Sequence, residues 1–259
     1  MQPTGVFDDV LRALAEQDDE LDGLLAGLDD AGWALPSRCP GWSISDVVLH
    51  LAQTDEMALA SAEQRFADAV SAFGSPPGAA PGASVDDLAG LAVELQRGRP
   101  PAEVHQRWRE AAAAARKALG ACEPGTRVPW VSGPLSALTL ATTRLAEHWI
   151  HTGDVADALG RAPVATERLR PVARLAWRTL PYAFSRSGRT LSGPVALRLT
   201  GPSGEPWEFI PDEPAATTVT GPALEFCLVA ARRLDPGATG LQADGADADA
   251  VLDLVRTFA

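Results

Sequence analysis

A short segment rich in ionisable side chains, residues 145–154, carries the clearest chemistry in the sequence. Within it, Glu147 and His151 are four residues apart, so on an α-helix they share one face. A carboxylate and an imidazole one turn apart supply half of a divalent-metal site. His148 is rotated from Glu147 by about 100° on a helix and cannot easily face the same point. The segment therefore predicts a metal site that takes a further ligand from elsewhere in the chain.

His50 is the candidate for that ligand. It lies among Val47, Val48 and Leu51 on a predicted helix, and this spacing turns it toward the core of a helical bundle. Bundles build metal sites from side chains that project inward from facing helices, and three protein ligands leave positions open for catalysis. A lone core histidine is more often a satisfied structural residue. Spacing alone leaves both interpretations of His50 and His151 open.

Three more polar side chains are predicted to lie beside the ligand set. Asp154, three residues after His151, either orients a ligand by a hydrogen bond or pairs with an arginine. Asp55 follows His50 by about one and a half turns and has the same two alternatives. His148 is either a neighbour of the ligands or an exposed residue.

Composition and charge exclude several classes of protein. The chain has 259 residues, of which 46% are hydrophobic and 22% charged, as in ordinary globular proteins. Its net charge of -12 argues against binding to nucleic acid or to an anionic membrane. No apolar run is long enough to span a membrane, and the N-terminus lacks the basic start and apolar core of a signal peptide. We therefore expect a cytoplasmic protein.

The three cysteines, Cys39, Cys122 and Cys227, are widely spaced and form no Cys-x-x-Cys pair. The sequence therefore indicates neither a disulfide framework nor a thiolate metal site. Cys39 and Cys227 have no base close to them in the sequence, so we expect both to be structural.

The elements that position these residues are predicted to be helices. Apolar residues at helical spacing predict four long helices and one short one, and up-and-down packing into a bundle is their natural arrangement. These helices are predicted at residues 7–28, 43–73, 85–95, 102–119 and 135–160. A further helix at residues 166–184, interrupted near Pro181, follows the bundle.

The pattern then changes to the alternation that is typical of strands. Strands are predicted at residues 194–200, 206–210, 217–220 and 239–243, and helices at residues 223–233 and 247–258. The predicted fold class is therefore α+β. A helical bundle is expected over residues 1–190, and a small α+β domain over residues 191–259.

Two motifs combine the candidate ligands with distinctive neighbours: CPGWSISDVVLHLA at residues 39–52, and Glu147-x-x-x-His151 followed by Thr-Gly-Asp at residues 152–154. They resemble the signatures of the mycothiol-dependent maleylpyruvate isomerase family, within the DinB-like superfamily. The resemblance implies a four-helix bundle that binds a divalent metal through His50, Glu147 and His151. Zinc is the usual metal of the family, and nickel, iron or manganese are the alternatives.

The resemblance extends over nearly the whole chain. Residues 195–204 and 219–227 resemble the small domain attached in this family, which is related to sterol carrier proteins. Residues 149–160 look more closely like a subfamily usually described only as metal-binding. In the family an arginine of the small domain helps to bind an anionic substrate. Arg232 and Arg233 are the candidates for this catalytic role, and exposed helix-end arginines are the alternative explanation.

The resemblance also implies an activity. Members use mycothiol, or a similar low-molecular-weight thiol, as cosubstrate, and an open zinc site can hold such a thiol as the thiolate. The expected reaction is S-transfer to, or thiol-assisted isomerisation of, a small electrophilic substrate, which makes the chain a transferase or an isomerase. Its partners are then the thiol and the electrophile, and a homodimer is left open.

Two other functions remain open from the sequence. The metal could act as a Lewis acid in a biosynthetic cyclase or lyase, or the chain could be a non-catalytic module that binds metal and an apolar ligand. Thiol-dependent turnover would separate the cyclase or lyase from the expected enzyme. Substrate contacts in bundles come from loops, and the loop at residues 75–83 carries no chemistry that identifies the electrophile.

Overall fold

The computed structural model describes residues 3–73, 84–131 and 133–257, and the fold is α+β as predicted. Contacts between residues divide the chain into two compact units, Met1–Pro163 and Val164–Ala259. The loop at residues 75–83 lies outside the described residues. None of the described helices is both long and apolar enough to cross a membrane.

The first unit consists of helices and one small two-stranded sheet. Its elements are α1 (Pro3–Leu25), α2 (Asp30–Trp33), α3 (Ile44–Ala62), α4 (Phe66–Phe73), α5 (Val85–Gln96), α6 (Pro101–Gly120), β1 (Arg127–Val128), β2 (Leu135–Ser136) and α7 (Ala137–Ala158). Helices α1, α3, α6 and α7 pack on one another as the predicted four-helix bundle. Their apolar faces form its core, in which Leu21, Leu51 and Trp108 are buried.

Local signals stabilise the two helices that carry the predicted ligands. At the start of α3, Ser43 Oγ accepts a hydrogen bond from Asp46 N–H, and Asp46 accepts one from Ser43 N–H, which completes a capping box. At the start of α7, Ser136 Oγ accepts a hydrogen bond from Thr139 N–H. Such caps contribute about 1 kcal/mol each to the stability of a helix.

Helix α3 ends at Ala62, although the apolar pattern predicts one helix as far as residue 73. Gln64 adopts a left-handed conformation with φ of 60°, and Arg65 N–H donates to Ala60 O at 2.7 Å. This hydrogen bond belongs to a Schellman motif, which terminates a helix. The pattern continues in the separate helix α4, so the predicted continuity was wrong.

The second unit combines helices with a four-stranded sheet. Its elements are α8 (Leu169–Arg178), α9 (Leu180–Arg186), β3 (Val195–Thr200), β4 (Pro206–Phe209), β5 (Thr217–Pro222), α10 (Ala223–Ala230), a 3₁₀ turn (Pro236–Ala238), β6 (Gln242–Gly245) and α11 (Val251–Leu254). The strand order is β4-β3-β5-β6. Strands β3 and β4 form the antiparallel hairpin that the sequence predicts, whereas β5 runs parallel to β3 and antiparallel to β6.

The division between the units falls earlier in the chain than the boundary suggested by the sequence, between residues 190 and 191. Helices α8 and α9 belong with the sheet of the second unit. Trp177 Nε1 donates to Val195 O at 2.7 Å, and Thr179 Oγ1 donates to Arg256 O at 2.8 Å. The change in sequence pattern therefore marks the first strand of the second unit rather than its first element.

The closing helix predicted at residues 247–258 is reduced to the single turn of α11. Asp247 accepts hydrogen bonds from the N–H and the Oγ–H of Ser192, both at 2.9 Å, and Asp247 N–H donates to Thr217 Oγ1 at 2.9 Å. These bonds to distant residues hold the start of the segment in a turn. The prediction of a long helix was wrong because tertiary hydrogen bonds outweigh the local apolar pattern.

Candidate metal site

The three predicted ligands meet between helices α3 and α7. Glu147 Oε2 lies 3.2 Å from His50 Nε2 and 3.8 Å from His151 Nε2. One donor atom from each residue lies within 4.8 Å of the others. The residues expose only 8% (His50), 9% (Glu147) and 8% (His151) of their surface. Because one helical turn separates Glu147 from His151, a single helix presents two of the three donors.

The donor set fits a divalent ion. Two imidazole nitrogens and one carboxylate oxygen are a known ligand set of catalytic zinc sites. Such ions hold these atoms at about 2.0–2.2 Å, so neighbouring donors stand about 3–4 Å apart. Both distances from Glu147 Oε2 lie in this range. Three protein ligands leave room for a water, a thiol or a substrate atom.

The electrostatics of Glu147 and His50 also suit a cation. Burial acts to raise the pKa of Glu147, but the hydrogen bond with His50 and the positive charges of His151 and Arg144 outweigh it and lower that pKa to about 2. Burial lowers the pKa of His50, and the charge of His151 adds to this effect. Near neutral pH the site therefore offers an anionic carboxylate and, at His50, the neutral imidazole form that binds metals.

The second ring nitrogen of His151 also has polar neighbours. His151 Nδ1 lies 3.0 Å from Asp154 Oδ2 and 3.9 Å from Cys39 Sγ, and Cys39 Sγ donates to Asp154 Oδ2 at 3.3 Å. A carboxylate at Nδ1 selects the tautomer in which Nε2 carries the lone pair. Cys39, which has no base near it in the sequence, therefore meets one in space. The donor atoms of Cys39, His151 and Asp154 form a second group with the spacing of metal ligands.

A tight loop at residues 36–43 brings Cys39 to α7. The N–H and the Oγ–H of Ser37 both donate to Trp42 O at 2.8 Å, and Trp42 N–H donates to Cys39 O at 3.0 Å. Gly41 closes the loop with φ of 78°, a conformation that glycine adopts without strain. The available signal for Cys39 was its place in the same 39–52 motif as His50, because one short segment carries both residues to α7.

A buried ionic network lies beside Glu147. Arg144 Nε donates to Asp55 Oδ1 at 2.9 Å, and Arg144 Nη1 lies 3.9 Å from Glu147 Oε2. Asp55 Oδ2 is 2.9 Å from His148 Nε2, and His148 Nδ1 lies 2.5 Å from Asp18 Oδ1. Asp55 and His148 thus lie near the ligand set, but Arg144 connects them to it. Neither Arg144 nor Asp18 was singled out from the sequence.

Comparison with known proteins assigns the family. Residues 14–156 match the mycothiol maleylpyruvate isomerase N-terminal domain family, and this span includes all three residues of the triad. The chain belongs to this family. Two uncharacterized proteins from Mycobacterium tuberculosis, of strains CDC 1551 and H37Rv, are each 37% identical to it over 262 residues, covering 100% of this chain and 97% of theirs.

Two solved structures share the fold of this family member. Crystal structures of the mycothiol-dependent maleylpyruvate isomerase and of a mutant of it match with TM-scores of 0.61 and 0.60. Each match covers 92% of this chain and 92% of the other. At 18% sequence identity, this likeness establishes the fold alone.

The two arginines suggested by the family resemblance lie in the second unit, at the end of α10. Arg232 has a left-handed φ of 61°, and Arg233 N–H donates to Leu228 O at 2.8 Å, which is a Schellman ending. Arg232 Nη1 donates to Asp253 O at 3.2 Å, and Arg233 Nη1 donates to Ala231 O at 3.0 Å. These contacts are those of helix-end residues, and a role in substrate binding stays a prediction.

We expect Arg232→Gly to raise the free energy of unfolding by about 1 kcal/mol, because glycine adopts a left-handed φ without the steric cost of a side chain. The matched control is Arg233→Gly, at a residue without a positive φ, which should not be stabilised. Denaturant unfolding measures both variants. If Arg232 contacts the substrate, Arg232→Gly should also have lower turnover than wild type, although it is more stable. An unchanged or lower stability of Arg232→Gly would contradict the strain at this residue.

The metal-free protein should lose stability as the pH rises toward 10, because of His151. Burial acts to lower the pKa of His151, but Asp154, Cys39 and Glu147 outweigh it and raise that pKa to about 10. A raised pKa contributes stability that is fully present below about 6.5 and is lost as the pH rises through about 10. Asp154→Asn removes the main favourable partner and should flatten this dependence.

The measurement is denaturant unfolding at several pH values between 6 and 10, with a chelator present. The difference in stability between wild type and Asp154→Asn should shrink as the pH rises. Asp157→Asn, which removes the same charge from an exposed residue of α7, serves as the control and should follow wild type. A constant difference across this range would show that Asp154 does not stabilise the imidazolium of His151.

Proposed function

We propose that this family member is a divalent-metal-dependent enzyme that activates mycothiol, or a similar low-molecular-weight thiol. The thiol would serve the isomerisation of a small electrophile or S-transfer to it. The observation that carries the proposal is the position of Glu147 Oε2, within 3.2 Å of His50 Nε2 and 3.8 Å of His151 Nε2. Family membership supports the thiol and a small-molecule substrate. Zinc is the first candidate for the ion, and nickel, iron or manganese are the alternatives.

When bound, a divalent ion would supply a positive centre that keeps a thiol deprotonated near neutral pH. The residues of the chain determine how that centre is held. Glu147 contributes one negative charge, and His50 and His151 contribute neutral nitrogens once His151 has released its second proton. Asp154 would hold the proton at His151 Nδ1, which would leave the lone pair of Nε2 free to bind the ion. The Trp42 ring also lies close to the site, with its centroid 5.2 Å from that of the His50 ring.

The thiol-assisted isomerisation is an addition followed by an elimination. The sulfur of the thiolate forms a bond to one carbon of a conjugated double bond, and the π electrons move onto the conjugated carbonyl oxygen. The remaining carbon–carbon single bond can rotate. Return of the electrons breaks the carbon–sulfur bond, restores the double bond in the other geometry and releases the thiolate unchanged. In S-transfer the carbon–sulfur bond is kept in the product.

The first test is metal content, measured by elemental analysis on protein purified without added metal or chelator. We expect about one ion per chain in wild type and none in His151→Ala. The matched control is His105→Ala, because His105 belongs to α6 and contacts Asp22 at 2.6 Å, outside the triad. This control should keep its metal. Wild-type protein that binds no metal after reconstitution would overturn the proposal.

The second test is thiol dependence of turnover with the metal-loaded protein. Isomerisation of maleylpyruvate and consumption of an alkylating electrophile are followed with and without mycothiol. Turnover only in the presence of the thiol is the expected result. Turnover of a substrate without any thiol would favour the Lewis-acid cyclase or lyase. Protein that binds the metal but neither binds the thiol nor turns over a substrate would favour the non-catalytic module.

A further inference from the structure

The second unit contains a local concentration of positive charge. Residues 168–190 contain six arginines and no acidic residue, although the formal net charge of the whole chain is -12. Arg170, Arg174 and Arg178 follow one another at four-residue spacing on α8. Like charges at this spacing destabilise a helix. Within the described residues, neither Arg174 nor Arg178 forms an ion pair, so their charges are available to an anion.

Three of these arginines line a groove. Arg174, Arg178 and Arg189 border a cavity of about 820 Å³ on the second unit, and none of the described residues that line it is acidic. Arg189 is held in place by Asp249 at 3.3 Å and by the ring of Phe184, whose centroid is 5.9 Å from the guanidinium carbon. The volume lies within the range of small-molecule sites, about 300–1,000 Å³.

The surface between the arginines is apolar and preformed. Trp177 lines the groove, and its Nε1 donates to Val195 O at 2.7 Å, which fixes the indole ring against the start of β3. Leu180 and Val195, which are buried, and Pro194 also line the groove. Because this surface is held by the sheet, a ligand would not have to order it on binding.

We propose that this groove binds a small organic anion that combines a phosphate or carboxylate group with an apolar body. Guanidinium groups match the geometry of both anionic groups and can bind them through two parallel hydrogen bonds. Trp177 and its apolar neighbours would cover the rest of the ligand. A long polyanion is disfavoured, because its further charges would meet a chain of net charge -12. This site lies within the second unit and does not depend on the proposed metal chemistry.

The binding test is isothermal titration calorimetry on the full-length protein with a chelator present, so that phosphate cannot bind through a metal. The probes are octyl phosphate, inorganic phosphate and octyltrimethylammonium. Octyl phosphate should bind at least about tenfold more tightly than either other probe, and its affinity should fall as sodium chloride is added. Equal binding of the cationic amphiphile, or no binding of octyl phosphate, would overturn the proposal.

Paired variants locate the site. The double variant Arg174→Gln with Arg178→Gln should weaken octyl phosphate binding by at least about tenfold. Arg170→Gln removes the same charge from the same helix at a residue that does not line the groove, and it should bind nearly as wild type. These side chains are exposed, and each variant removes repulsion between like charges on α8, so thermal unfolding should occur at the wild-type temperature or slightly above it in all variants. Undiminished binding of octyl phosphate in the double variant would overturn the site. The site would also be overturned if the protein sedimented with anionic vesicles but did not bind octyl phosphate.

Discussion

Replacing Glu147 with glutamine (Glu147→Gln) is expected to weaken metal binding by about 10²–10³-fold and to abolish thiol-dependent turnover. Structural zinc sites with four ligands bind with about 10–16 kcal/mol, so the share of one ligand is about 2.5–4 kcal/mol. Glu147 Oε2 is the atom that approaches both His50 and His151, and Glu147 is the only anion of the triad. Glutamine keeps the volume of the side chain but removes this charge.

Metal affinity of Glu147→Gln is measured by competition with a chromophoric chelator, and turnover is measured at saturating metal. Glu56→Gln is the matched control, because Glu56 also belongs to the bundle and pairs with Arg107 at 2.6 Å, away from the triad. The control should keep both metal and activity. Wild-type affinity in Glu147→Gln would remove Glu147 from the ligand set and leave the group of Cys39, His151 and Asp154 as the alternative site.

The proximity of His50, Glu147 and His151 could be predicted in part from the sequence, because each of these residues carries a local signal. Glu147 and His151 are one helical turn apart, and His50 lies on an apolar helix that begins just after its cap at Ser43. The spacing of residues within each segment could not predict that the two segments meet, because no local pattern indicates that α3 packs against α7. The family resemblance supplied that connection, and the structure brings the two segments together.

Two neighbours of the triad, Arg144 and Cys39, could not be predicted to lie there, because tertiary packing determines their positions. Arginine is almost never fully buried unless it is paired, yet Arg144 is only 1% exposed because Asp55 from another helix neutralises it. Cys39 reaches Asp154 across 115 positions of the chain. No local pattern encodes contacts between segments that are so far apart.

The fold of the second unit could also be predicted only in part from local sequence patterns. Alternation of apolar and polar residues located its strands, including the β3–β4 hairpin, whose partners are close in sequence. It could not predict that β5 inserts beside β3 in parallel, because that pairing joins strands separated by a longer connection. The predicted closing helix failed for a similar reason, since Asp247 bonds to Ser192 and Thr217 of distant segments.

Replacing Arg144 with methionine (Arg144→Met) is expected to lower the free energy of unfolding by about 3–5 kcal/mol. The Arg144 and Asp55 side chains are only 2% and 3% exposed, and Nε and Oδ1 are 2.9 Å apart. Removal of one partner leaves a buried charge that is no longer compensated. Methionine fills much of the same space, so the loss of stability reflects the lost charge rather than a cavity. Urea unfolding of the metal-free protein measures the free energy of unfolding.

Two comparisons separate a buried ion pair from simple loss of packing. Adding Asp55→Asn to Arg144→Met removes the buried charge of Asp55 that Arg144 no longer compensates, and it should recover part of the lost stability. Arg12→Met makes the same substitution at an exposed pair with Asp9 and should have little effect. If the double variant is as unstable as the sum of the two single variants, the charge of Asp55 is not what destabilises Arg144→Met.

The pH dependence of the same variant gives an independent check. Burial acts to raise the pKa of Asp55, but His148 and Arg144 outweigh it and hold that pKa below its ordinary value of 3.8. A lowered pKa contributes stability that is present above about 3.8 and is lost as the pH falls through the value in the folded protein. The gap in stability between wild type and Arg144→Met should therefore be widest near neutral pH and narrow in acid. A gap that stays constant down to the acid limit of folding would mean that Asp55 does not depend on Arg144 for its ionisation.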